Sequence, residues 1–255
     1  MWKKLRIVVL LLVLAGVAGE SWYAQQRVTA WRATLYVGIF PIAADASPAT
    51  RAYVASLRHA QFESIERFFA DEAAHYGVRV QMPVRIELLP RLDEPPPAAP
   101  ADASTLAVIW WSLKLRYYAA RVGHGPDGIA PHIRMFVLYH DPARSSRVPH
   151  SLGLSKGQLG VVHAFATAAM NGSNAVVIAH ELLHALGATD KYDPATDSPR
   201  FPEGYGDPAQ VPRYPQQYAE LMGGRRALSA TEQEVPESLA ECVVGPATAA
   251  EIKWR

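Results

Sequence analysis

The chain has 255 residues, 49% of them hydrophobic, with 25 basic against 24 acidic side chains and a net charge of +1. That is enough apolar material for one sizeable core, and the near-neutral balance gives no footing to a nucleic-acid partner. The single cysteine, Cys242, excludes an intramolecular disulfide and a cysteine-ligated zinc, and reads as a small buried hydrophobe.

The N-terminus is basic from Met1 to Arg6, then uncharged and mostly apolar from Ile7 to Gly19. This is the pattern of a secretory signal or a signal anchor, with the N-terminus in the cytoplasm and the remainder outside. The run is short for a span. Ser21 to Ala24 would lengthen it, and Glu20 interrupts that extension. Residues 1–27 are therefore assigned to a targeting or anchoring segment that meets the membrane, and 28–255 to one domain. Residues 20–33 read as a helical or irregular connector.

Leu35 to Phe40 predicts a strand ended by Pro41. Ser47 and Pro48 form a cap and first-turn pair that opens a helix, and Gly77 stops it. Val84 to Leu89 alternates as a strand does. Pro90 to Ala103 reads as a long surface loop, and Thr105 to Arg121 as a second helix. Ile133 to Tyr139 is nearly all apolar and predicts a central strand. A polar, glycine-rich segment follows at 150–157, then a strand at 160–166. His59 and His75 have no spaced partner and read as surface or satisfied histidines; His140, His150 and His163 are candidates for a second metal site or a substrate contact, against the simpler reading as loop or strand histidines.

The apolar run Ala175 to Ala179 leads into His180-Glu181-Leu182-Leu183-His184-Ala185-Leu186-Gly187-Ala188-Thr189-Asp190, the pattern H-E-x-x-H-x-x-G-x-x-D. Histidines four apart on a helix lie about one turn apart on one face, so both imidazoles can reach one zinc ion. Glu181 is placed to take a proton from a water that the metal activates. Burying two histidines and a glutamate on an apolar helix without partners is costly, and a metal supplies the partner. Gly187 can end the helix in a left-handed conformation, after which the chain turns back and presents Asp190 as a third ligand. Asp193, Asp197 and Glu220 compete for that place. Three protein ligands with an open fourth position describe a catalytic zinc site. The alternative is a structural helix whose histidines are satisfied otherwise.

Residues 191–219 are rich in Pro, Tyr, Gly and Asp and read as ordered loop beside the cleft. Tyr214 and Tyr218 are candidates to donate a phenol to a developing oxyanion, or to pack beneath the metal. Arg225 and Arg226 read as a solvated turn. A turn from Pro236 to Pro246 and a short helix from Thr248 to Trp254 end the chain.

His180 to Asp190 resembles the zincin metallopeptidases, nearer the metzincin branch, with aspartate where most metzincins have a third histidine. The snapalysin type of secreted bacterial zincin has aspartate there, and the continuation to Asp193 is similar to zincins of the immune-inhibitor type. The chain as a whole resembles a group of uncharacterised proteobacterial membrane-anchored or exported proteins. The specific resemblance covers residues 173–226. It implies an α+β, zincin-like fold: a mixed twisted sheet with two or three helices, an active-site helix and a loop-rich C-terminal part. It also implies that Met222 forms a tight turn beneath the metal, and that residues 160–166 are the sheet edge on which extended substrate adds as a strand. A glutamate ligand at Glu220 would instead resemble the gluzincins.

The expected activity is zinc-dependent hydrolysis of peptide bonds in a peptide or protein substrate, outside the cytoplasm. The setting is a bacterial inner membrane facing the periplasm, or secretion after signal cleavage. Alternatives are a non-catalytic zinc-binding scaffold of the envelope, a metal-free interaction domain, and a zinc amidase acting on cell-wall material.

Overall fold

The computed structural model describes Arg6, Gly19 and residues 23–100, 104–125, 130–155 and 157–255. Five strands form the main sheet: β1 (Leu35–Ala43), β2 (Val84–Leu88), β3 (Ile133–His140), β4 (Leu152–Leu154) and β5 (Leu159–Phe165). Their order is β2-β1-β3-β5-β4. The first four are parallel, and β4 runs antiparallel to β5. Central parallel strands must be covered on both faces, which is why β1 and β3 are apolar almost throughout. Ile133, Met135, Val137 and Tyr139 enter one core, whereas Phe136 and Leu138 enter another on the opposite face. The fold is a mixed α+β architecture, as expected.

The helices are α1 (Pro48–Ser56), α2 (Glu63–His75), α3 (Thr105–Val122), α4 (Asn171–Leu186) and α5 (Pro246–Glu251). The larger core takes side chains from α1, α2, α4 and α5. On the opposite face α3 supplies Trp111, Leu115 and Tyr118. Helix α4 is buried on most sides because it lies against β4 and β5 and beneath the C-terminal loops.

Three expectations are corrected. The single helix expected from Ser47 to Gly77 is two. It starts as expected, with the Ser47 hydroxyl accepting from the Ala49 N–H at 3.2 Å. Leu57 and Arg58 are then extended, and a 3₁₀ turn at His59–Gln61 leads into α2. Leu57 and Phe62 are both buried in the same core. On one straight helix, five positions would set them about 140° apart; the break lets both point inward. Secondly, the strand after the glycine-rich segment is not the sheet edge: β5 lies between β3 and β4, and the edge on that side is β4, within the glycine-rich segment itself. Thirdly, the last helix begins at Pro246 rather than Thr248, and Trp254 lies beyond its end, folded into the core.

The proposed targeting segment, residues 1–27, lies outside the described residues except for Arg6, Gly19 and 23–27. Residues 23–28 are helical. Among the described residues no helix is long and apolar enough to cross a membrane. The connector belongs to the core: Trp31 donates its indole N–H to the Ile252 carbonyl at 2.7 Å and meets Trp254 edge-on at 5.5 Å.

Candidate metal centre

Helix α4 carries His180, Glu181 and His184. It ends as the sequence predicts: Gly187 has φ +110°, and the Gly187 and Ala188 N–H groups return to the carbonyls of His184 and Leu183. This cap folds the chain back on the helix and sets Asp190 against both histidines. Asp190 Oδ1 lies 3.2 Å from His180 Nε2 and 3.1 Å from His184 Nε2. Among the described residues, this is the one group of three or more His, Cys, Asp or Glu side chains with converging ligand atoms, all within 4.8 Å of one another.

The other ring nitrogens are spoken for. His180 Nδ1 lies 2.9 Å from the Leu221 carbonyl, and His184 Nδ1 lies 2.9 Å from the Ala188 carbonyl. A carbonyl only accepts, so each Nδ1 carries the hydrogen and donates. Each Nε2 of a neutral ring is then a bare lone pair aimed at Asp190. Three acceptors meet at one point, an arrangement that repels itself unless a cation joins them. A second proton on an imidazole or a metal ion fills that role. Two imidazoles and a carboxylate suit zinc and related divalent ions. The Asp190 carboxyl is half-buried, which opposes its charge, yet the two histidines hold it well below the usual carboxylate range.

Glu181 is 5% exposed, and its Oε2 has no hydrogen-bond partner. Burial raises its proton affinity; the two histidines partly offset this. The edge strand passes directly over it. A Cβ built on Gly153 would lie 2.3 Å from the Glu181 carbonyl oxygen, 2.5 Å from His184 Cβ and 3.1 Å from Glu181 Oε2. Only a glycine lets β4 approach so closely.

Met222 is fully buried in a 3₁₀ turn, Leu221–Gly223, that packs on α4. This turn positions the site through its backbone. The Leu221 carbonyl orients His180, and the Met222 carbonyl accepts from the Lys191 N–H at 2.8 Å, one residue after Asp190. Glu220 is a buttress beneath it and does not face the histidines. Its carboxylate accepts from Gly223 N at 2.7 Å, Gly245 N at 3.0 Å and the Thr248 hydroxyl at 2.7 Å. Asp193 caps a turn by accepting from Ala195 N, and Asp197 pairs with Arg225. Asp190 alone of the four carboxylates joins the histidines.

Of the proposed phenols, Tyr214 is hydrogen-bonded to Tyr205, hydroxyl to hydroxyl, at 3.0 Å. Tyr218 lines a groove with Arg67, Glu72 and Cys242. The tyrosine beside the triad is Tyr192, whose ring centroid is 6.5 Å from that of His180. Burial, with the Asp190 and Glu181 carboxylates nearby, pushes its phenol up to about 12. Sequence reasoning passed over Gly153 and gave Tyr192 no role. Tyr192 stood two residues from a proposed ligand, within the continuation that resembles the immune-inhibitor type. Gly153 had no signal beyond lying in a glycine-rich stretch.

No protein-family model matches the chain, and no curated protein is significantly similar to it.

Proposed function

We propose that the chain is a zinc-dependent hydrolase of peptide bonds that acts outside the cytoplasm. The observation that carries this reading is the meeting of His180 Nε2, His184 Nε2 and Asp190 Oδ1 beside a buried glutamate whose Oε2 has no partner. A non-catalytic metal scaffold has no use for that glutamate, and leaving its oxygen buried and unpaired is costly. The position of β4 supports an extended peptide as substrate. It is an edge strand whose Gly153 touches Glu181, so a peptide paired along its free side would run past the carboxylate.

His180, His184 and Asp190 would hold the ion. When bound, zinc supplies Lewis-acid chemistry, acidifying water and polarising a carbonyl. The protein's own groups do the rest. Glu181, with its proton affinity raised by burial, takes the proton from the attacking water and delivers it to the leaving amine nitrogen. The Leu221 and Ala188 carbonyls hold both imidazoles in the Nδ1–H form. Tyr192, kept protonated, is a hydrogen-bond donor at the rim of the same site.

The test is metal content by elemental analysis, followed by cleavage of a peptide library. Wild type should hold about one zinc per chain, and His184→Ala should lose it. Glu181→Gln should keep the metal and lose hydrolysis by at least about a hundredfold. A metal-free wild type, or full activity in Glu181→Gln, overturns the proposal.

A further inference from the structure

Two histidines away from the metal centre meet near the carboxyl ends of the parallel strands. His140 closes β3, on the face that carries Phe136 and Leu138, and His163 lies in β5, on the face that carries Val161. In the ladder Leu138 pairs with His163 and His140 with Phe165, so the two rings are diagonal neighbours on adjacent strands. His140 Nε2 stands 2.8 Å from His163 Nδ1. The ring centroids are 5.1 Å apart, a separation that matches this gap plus the two ring radii, so the nitrogens meet nearly head-on. Both side chains are half-buried.

Each neutral imidazole has one N–H, and the gap between the two rings has room for only one hydrogen. Asp45, the carboxylate whose charge reaches His140, accepts instead from the Ser47 and Asp141 N–H groups at 2.9 and 2.8 Å. The place in the fold also favours a ligand. From β1 the chain goes on to β2 on one side, whereas β3 leads on to β4 and β5 on the other. Such a switch point, at the carboxyl ends of the strands, is where open sheets take their ligands. His140 is the last residue of β3 there.

We infer that His140 and His163 form a second metal site, a two-coordinate one that takes copper(I) between His140 Nε2 and His163 Nδ1. Imidazole is a good copper ligand. A closed-shell monovalent ion accepts two donors in line, the arrangement this pair already has. Zinc and nickel call for three or more donors, and among the described residues only His180, His184 and Asp190 gather as many. Metal–imidazole bonds are about 2 Å long, so on binding the nitrogens part from 2.8 Å to about 4 Å. The hydrogen in the gap moves to the outer nitrogen of its own ring. Both rings stay neutral, no proton is lost, and the site takes on the single charge of the ion. The pair lies on the opposite face of the sheet from helix α4, and the inference does not rest on the zinc-hydrolase reading.

The experiment titrates the full chain with copper(I) under anaerobic ascorbate, with bicinchoninate as the competing chelator. The expected result is about one copper(I) per chain. Its X-ray absorption spectrum should show two nitrogen neighbours and the intense edge band of linear coordination. His140→Ala and His163→Ala should each abolish this binding. His184→Ala, His75→Ala and Cys242→Ser should retain it; His75 is exposed on α2, and Cys242 is the buried thiol that could compete for a soft ion.

Unchanged copper content in His163→Ala overturns the inference. Loss in His184→Ala or in Cys242→Ser also overturns it, assigning the ion to the first centre or to the thiol. So does a wild type that yields all its copper to the chelator. If the alanine variants do not fold, judged by circular dichroism, the wild type decides alone. One equivalent of silver(I), a redox-inert stand-in, should shift the ring resonances of His140 and His163 in a spectrum of isotope-labelled histidine. Shifts confined to His180 and His184 overturn the site.

Discussion

Four carboxylates lie within reach of the histidine pair by sequence, and their surroundings separate their tasks. Asp190 has two imidazole nitrogens before it, whereas Glu220 already receives three hydrogen bonds in the core. Asp190→Ala should therefore abolish stoichiometric zinc while leaving the fold intact. Glu220→Gln should lower the unfolding midpoint, by about 1–3 kcal/mol of lost charge-assisted bonding, and leave about one zinc per folded chain. Elemental analysis beside thermal unfolding separates the two. Gly153 is tested in the same spirit. A methyl group there would strike the Glu181 backbone, so Gly153→Ala should bind zinc and yet lose roughly tenfold or more in peptide kcat/KM through a displaced edge strand.

At the scale of elements, the site is assembled by the ends of α4 and by loops that lock on to one another. Lys191, buried, donates to the Thr189 carbonyl and hydroxyl and to Glu251, and so ties the ligand-bearing loop to α5. Strands β3 and β5 carry a different polar pair, His140 and His163, 2.8 Å apart on the sheet face away from the metal centre. Burial, then His140, lowers His163 to about 4, against about 6.5 in an unfolded chain. The folded state favours the neutral ring. Its contribution is fully present above about pH 6.5 and is lost as pH falls towards about 4, because the unfolded chain takes up the proton first. In His163→Gln the decline of the thermal midpoint across that window should be shallower than in wild type. Equal slopes would show that the pair does not carry the effect.

Across the whole molecule, the two ends of the described chain clasp each other. Trp31 lies against Trp254 and bonds the Ile252 carbonyl, while Gln25 caps α4 by donating to the Leu186 carbonyl at 2.6 Å. The connector is thus part of the domain. Trp31→Ala should destabilise it by about 3–5 kcal/mol, as for a large buried aromatic, read as a lower midpoint in denaturant unfolding. The clasp also holds α5, whose Glu251 fixes the Asp190 loop. Metal affinity should weaken along with stability in that variant.

The sequence by itself determined the features that depend on local spacing. The four-residue interval of His180 and His184, the glycine at 187 and the aspartate three residues later are short-range geometry, fixed by helix pitch and one left-handed residue. The apolar runs of β1 and β3 carried their burial in the same direct way. Tertiary structure decided what depends on distant partners. The helix expected from Ser47 to Gly77 broke because Leu57 and Phe62 share one core. The glycine-rich segment became the edge strand because Gly153 fits against Glu181, a contact between residues 28 apart. Glu220 became a buttress because Gly245 and Thr248 receive it. Tyr192, and not Tyr214 or Tyr218, was brought beside the triad because the loop after Asp190 folds back under the Met222 turn. Each outcome was set by long-range hydrogen bonding and packing, which residue spacing does not encode.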